Sequence, residues 1–204
     1  LDSFYALGVR SIGPLWSRPN AFGTGVPFSF PGSPDQGTGL TDAGKALVAT
    51  CDQMNMLLDV SHLNEAGFWD IARLSQQPLL ASHSNAHALC PSPRNLTDRQ
   101  LDAVAESGGL VGVCFATAYL RSDGRKDSAT HIDLVLRQLV YLIERMGENH
   151  VGLGSDFDGA ILPDDLTDCG QLPVLVKALL THGFGEQLIR KLCWDNWYQQ
   201  ITRL

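Results

Sequence analysis

Two stretches decide the fold: Leu57-Leu58-Asp59-Val60-Ser61-His62 and Leu79-Leu80-Ala81-Ser82-His83-Ser84. Each is a short run of branched apolar residues that runs out into Ser-His. Runs that are apolar on both faces suit strands buried on both sides, as in parallel sheets covered by helices. With these two, five such runs lie along the chain, at Val9–Leu15, Met56–Val60, Pro78–Ala81, Leu110–Phe115 and His150–Gly154. Between and after them, apolar residues recur at spacings of three and four. This predicts helices over Thr41–Met54, Asn64–Ser75, Thr97–Ser107, Ile132–Met146, Leu172–His182 and Glu186–Leu204. Thr41 and Thr97 stand at N-cap positions with acidic residues behind them, and Gly147 and Gly183 sit where helices stop.

Strands alternating with helices make βαβ units and a parallel sheet, so the fold class is α/β. No GxGxxG or GxxxxGK[ST] follows any strand, which removes the two nucleotide-binding folds. The remaining candidate is a TIM-type (β/α)8 barrel, with its active site at the C-terminal ends of the strands. Such a barrel needs eight strands, and five are visible. Residues 1–204 are therefore read as one partial barrel domain, its C-terminal part of about five βα units, with the N-terminal strands missing. The Gly-, Pro- and Ser-rich segment Asn20–Gly39 is a long loop after the first strand, of the kind that is usually functional or mobile.

With 44% hydrophobic and 18% charged residues over 204 positions, the chain is not a disordered polymer. A net charge of −7 without a basic cluster argues against nucleic-acid or anionic-membrane binding. Gly108–Leu120, the longest nearly apolar run, is too short and too rich in Gly and Thr to span a bilayer. Five cysteines without CxxC pairing suit reduced thiols and a cytoplasmic location. The chain opens on Leu1 and shows no signal peptide, so a start lost to processing or truncation is expected.

The chemistry is written at the strand ends. His62 and His83 occupy corresponding positions on neighbouring parallel strands, about 4.8 Å apart, so their imidazoles can converge on one ion. Gly152-Leu153-Gly154-Ser155-Asp156-Phe157-Asp158-Gly159 puts a third donor, Asp156, at the mouth of the last strand. Two imidazoles and a carboxylate with open positions suit a catalytic zinc, which lowers the pKa of water and polarises a carbonyl. Asp156 then binds metal or accepts a proton from the attacking water. The ordinary alternatives are polar strand ends for the histidines and turn or calcium-loop chemistry for the Asp156 segment.

Together, Asp59–His62, Ser82-His83-Ser84, Pro93-Arg94-Asn95 and Gly154–Gly159 resemble the membrane (renal-type) dipeptidases, binuclear zinc peptidases on a (β/α)8 barrel. The resemblance covers essentially the whole chain. Ser11–Val26, with Trp16-Ser17-Arg18-Pro19-Asn20-Ala21-Phe22, is similar to the bacterial branch. By that resemblance, His62 and His83 hold one zinc, and Asp156 holds the other and positions the nucleophilic water. Arg94 binds the substrate's terminal carboxylate, for which a guanidinium fork is suited. Tyr119 lies near substrate, and Asp158 orients a ligand or the loop. The implied partner is a dipeptide, and a homodimer is compatible with the reading.

Two departures accompany the resemblance. The family's His-x-Asp pair and bridging Glu would lie upstream of Leu1, so one metal site is largely missing and the chain alone is expected to be weakly active or inactive. Where the family often has a substrate-binding His, this chain has Trp16, which stacks but carries no charge. The alternatives are a non-catalytic remnant or binding subunit with the same fold, and another amidohydrolase-like metalloenzyme. The latter usually carries a carboxylated Lys at a strand end, and none stands there. Glu65 reads as a first-turn helix charge. His87 is a candidate neighbour of the site. His131, His150 and His182 belong at helix ends or on the opposite barrel face, and Cys90 and Cys114 in the core.

Overall fold

A computed structural model describes residues 1–203 and contains five short strands among them: β1 (Ser11–Ile12), β2 (Leu57–Leu58), β3 (Leu80–Ser84), β4 (Leu110–Val113) and β5 (Val151–Leu153). All pairings are parallel, β1 with β2 and β3-β4-β5 in order. A single parallel bridge from Asp59 to Leu80 joins the two groups, with the Val60 N–H donating to the Leu80 carbonyl at 2.7 Å. Neighbours in sequence are thus neighbours in space. Alternation along the strands separates the two faces. Leu58, Val60, Ala81, Val111, Val113 and Val151 pack into the main core against the helices, while Leu57, Leu80 and Leu110 form a small second cluster with Trp197.

The ladders are shorter than the apolar runs that announced them, for local reasons. Asp59 Oδ1 accepts the Ser61 N–H at 3.0 Å, a side-chain bond that competes with the ladder and bends the chain after β2. The β3–β4 register shifts between Ala81 and Ser84, and such irregularities re-aim side chains at sheet ends. Ser82 and His83 lie in that shifted segment.

The helices are α1 (Asp2–Ala6), α2 (Asp42–Gln53), α3 (Glu65–Leu74), α4 (Asp98–Glu106), α5 (Thr117–Leu120), α6 (Asp133–Met146), α7 (Leu172–Thr181), α8 (Glu186–Arg190) and α9 (Asn196–Ile201). Thr41 caps α2 through the Gly44 N–H at 3.1 Å, and Asn64 caps α3 through the Gly67 N–H at 2.9 Å. Thr97 and Gln100 form a reciprocal capping box at the start of α4. Gly147 ends α6 at φ 84°, a conformation that only glycine adopts freely. The short α1 and α5 carry too few apolar repeats to be seen by periodicity.

The last predicted helix, Glu186–Leu204, is corrected. It is α8 and α9 joined by a π-helical turn, Lys191–Asp195, and Leu204 lies outside the described residues. The π turn shifts the helical phase at the point where α9 meets the sheet. There, Asn196 Nδ2 donates to the carbonyls of Glu148 and Val151, at 2.7 and 2.8 Å, and Trp197 Nε1 donates to that of Leu153 at 2.9 Å. An unbroken periodicity cannot report this. No helix among the described residues is long and apolar enough to cross a membrane.

Trp197 lies against Gly152, where a Cβ would come within 2.6 Å of the indole nitrogen. Gly152→Ala is therefore expected to cost about 1–3 kcal/mol by overpacking. Urea unfolding followed by tryptophan fluorescence measures this, and an unchanged midpoint contradicts it.

Candidate active site

His62 stands just beyond β2 in the left-handed region, at φ 70°, and His83 lies near the end of β3. Their Nε2 atoms are 3.0 Å apart, with ring centroids at 5.0 Å. Each Nδ1 is held by a serine hydroxyl. Ser17 Oγ lies 2.8 Å from Nδ1 of His62, and Ser82 Oγ lies 2.7 Å from Nδ1 of His83. The long loop also grips His62 through its backbone, since the Val26 N–H donates to the His62 carbonyl at 2.9 Å. Asp156 and Asp158 share the left-handed conformation, at φ 63° and 62°. Such strain in non-glycine residues collects where side chains must be aimed.

Burial holds the His62 pKa down at about 2, with the Arg94 guanidinium and His83 as further causes. His83 is lowered by burial and by Arg94, against the opposing charges of Asp59 and Asp156. Both rings are therefore uncharged at neutral pH, the state in which imidazole binds metal. Two ligands bound at roughly 2.0–2.1 Å to one ion stand about 2.8–3.4 Å apart across octahedral to tetrahedral angles. The Nε2 separation and the commitment of both Nδ1 atoms elsewhere thus fit a divalent ion held by this pair.

His62 and His83 line a cavity of about 840 Å³ together with Trp16, Tyr119, Asp156 and Asp158. Among the described residues, however, no group of three or more His, Cys, Asp or Glu side chains gathers to hold one ion. His62 and His83 form an imidazole pair, and Asp156 lines the same cavity. Asp156 packs on Gly159, where a Cβ would clash with its Oδ1, and its Oδ2 faces Cys114 Sγ at 3.7 Å.

Arg94 is 3% exposed, so it is not a surface charge. Its Nη2 donates to the His83 carbonyl at 3.1 Å, its Nε has no protein acceptor, and its guanidinium carbon is 5.4 Å from the centre of the Tyr119 ring. Trp16 meets Phe28 edge-on at 5.2 Å and lies 5.9 Å from the His62 ring. His87 serves the long loop rather than the imidazole pair, with its Nε2 at 2.9 Å from the Gly32 carbonyl. Glu65 accepts from Trp69 Nε1 in the first turn of α3. His150 lies at the other end of the sheet, with Nδ1 2.9 Å from the Gly109 carbonyl. Burial pushes the Cys90 and Cys114 thiols up, to about 11 and about 12, which leaves them unreactive.

Sequence reasoning missed the supports. The repeated Ser-His suggests equivalent serines, yet Ser82 bonds its own neighbour while Ser61 does not bond His62. The role falls to Ser17, 45 residues upstream. Phe28 and Lys126 also line the cavity, and loop residues of this kind carry no periodic signal.

Residues 1–203 match the family model described as membrane dipeptidase (peptidase family M19). A Klebsiella pneumoniae protein from the region 5′ of pqqA is 56% identical over all 204 residues, which cover 75% of that protein. Two crystal structures superpose with a TM-score of 0.97 at 57% identity over 99% of this chain. One is a metallopeptidase of family M19 called dipeptidase AC, and the other is a Rhodobacter sphaeroides metallopeptidase bound to a phosphinate mimic of the dipeptide L-Ala-D-Ala. The chain spans 58% and 57% of those two chains.

The lowered imidazole pKa values fix the sign of a pH dependence. The unfolded His62 takes up a proton near 6.5, whereas the folded one resists until about 2. Stability of the metal-free chain is thus complete above about pH 6.5 and declines below it, by at most about 1.4 kcal/mol per pH unit for each such ring. Urea midpoints taken with chelator present should drop from about pH 7.5 to about pH 5.5, and less steeply in His62→Gln. A His62→Gln profile parallel to the parent contradicts the assignment.

Proposed function

The chain belongs to the membrane dipeptidase family (peptidase family M19), and on that premise we propose that its cavity takes part in metal-dependent hydrolysis of dipeptides. The observation that carries this reading is the pair of uncharged imidazoles, Nε2 to Nε2 at 3.0 Å, in the cavity wall. Zinc is the ion the pair suits, with His62 and His83 on one site and Asp156 contributing to a second. When bound, the metal supplies a water of lowered pKa and positive charge beside the scissile carbonyl.

The chain's own residues do the rest. Asp156 accepts a proton from the attacking water, and Asp158 steadies the turn that presents it. Arg94 fixes the substrate's free carboxylate. Its unpartnered Nε and its contact with Tyr119, which lines the cavity, support that role. Holding the carboxylate at a set distance from the imidazole pair restricts substrates to two residues. Trp16 and Phe28 offer the substrate an apolar, aromatic wall. The architecture that frames this is the C-terminal part, about five βα units, of a TIM-type (β/α)8 barrel, supported by five parallel strands paired in chain order.

Zinc content, and affinity for a phosphinate dipeptide mimic, test the reading. The parent chain should bind zinc, and His62→Ala or His83→Ala should lose it. Arg94→Met should keep the zinc but weaken the mimic by about 10–100-fold, the worth of one charge-assisted hydrogen bond. Zinc content unchanged in both histidine variants overturns the proposal. Turnover of L-Ala-D-Ala by the 204-residue chain alone should be weak or absent, because only two imidazoles gather for a metal among the described residues. Rapid turnover that His83→Ala abolishes contradicts that expectation.

A further inference from the structure

We propose that Asp59, acting through Ser82, fixes the proton of His83 on Nδ1 and so leaves Nε2 bare toward the cavity, which makes Asp59 and Ser82 positioning residues for the imidazole pair. The inference rests on the reading of His62 and His83 as ligands, but its evidence lies in the hydrogen bonds behind them. Asp59 Oδ1 accepts two backbone N–H groups, from Ser61 at 3.0 Å and Ser82 at 2.9 Å. Its Oδ2 takes the hydroxyl proton of Ser82. A serine hydroxyl has one proton to give. With it spent on the carboxylate, Ser82 Oγ can only accept from His83 Nδ1, 2.7 Å away. Ser61 Oγ, 3.4 Å away, is placed to donate to the remaining lone pair. The direction of every bond in the chain is thus set by the carboxylate, which has no proton to offer.

The neighbouring ring is held differently. Ser17 Oγ lies 2.8 Å from Nδ1 of His62 and makes no other hydrogen bond among the described residues, so this hydroxyl can turn to donate to the ring or to accept from it. The sheet side of the site is locked, and the loop side adapts.

Long-range proton–nitrogen correlation spectra of the chelator-treated chain, with labelled histidine, read each tautomer directly. The expected result is Nδ1–H on His83. In Asp59→Asn, the amide nitrogen faces Ser82 and donates to it, so the hydroxyl turns to His83 and drives its proton to Nε2. Zinc affinity should fall with it by about 10–100-fold. Ser82→Ala keeps the backbone bonds to Asp59, and should also release His83 from the Nδ1–H form if Asp59→Asn does not fold. His83 protonated on Nε2 in the parent, or an unchanged tautomer in a folded Asp59→Asn or Ser82→Ala chain, overturns the proposal. Failure of the parent to bind zinc at all would instead remove the ligand reading and leave the tautomer result standing.

Discussion

Two ring nitrogens pointed at each other across 3.0 Å are the constraint on which the rest depends. That approach is not tolerable with both rings charged, because two imidazolium ions so placed would repel strongly at low dielectric. Burial and the guanidinium of Arg94 enforce the neutral state in both rings. A buried arginine beside two histidines is costly in itself, and its Nε has no protein partner. The cost is intelligible if the same cation both excludes protons from the imidazoles and awaits a carboxylate.

The pair is supported from two sides by different means. His83 is tied to the sheet, through Ser82 and the Asp59 carboxylate that bridges β2 and β3. His62 is tied to the loop that follows β1, through the Ser17 hydroxyl and the Val26 N–H. That loop is itself pinned to the segment beyond β3, where His87 meets the Gly32 carbonyl. One imidazole is thus held rigidly by the sheet and its neighbour by a hydroxyl that is free to turn.

Much of this was legible in the residues. The five apolar runs located every strand among the described residues, because burial on both faces leaves an unbroken apolar signature. Thr41, Thr97, Gly147 and Gly183 marked helix ends through capping chemistry that is local. His62, His83, Asp156 and Asp158, at or just beyond strand ends, line one cavity, with Trp16 added from the loop after β1 and Tyr119 from α5. What escaped was non-local. Neither the bond from Ser17 to His62 nor the π turn before Asn196 follows from spacing, because each answers to a partner more than forty residues away.

The most direct test of the central claim is an anomalous difference map, recorded at the zinc edge from crystals of the chain soaked in zinc. The account predicts a peak about 2.0–2.1 Å from Nε2 of both His62 and His83, with the two rings still on their serines. A peak bound to only one of them, or zinc found only elsewhere on the chain, would contradict it.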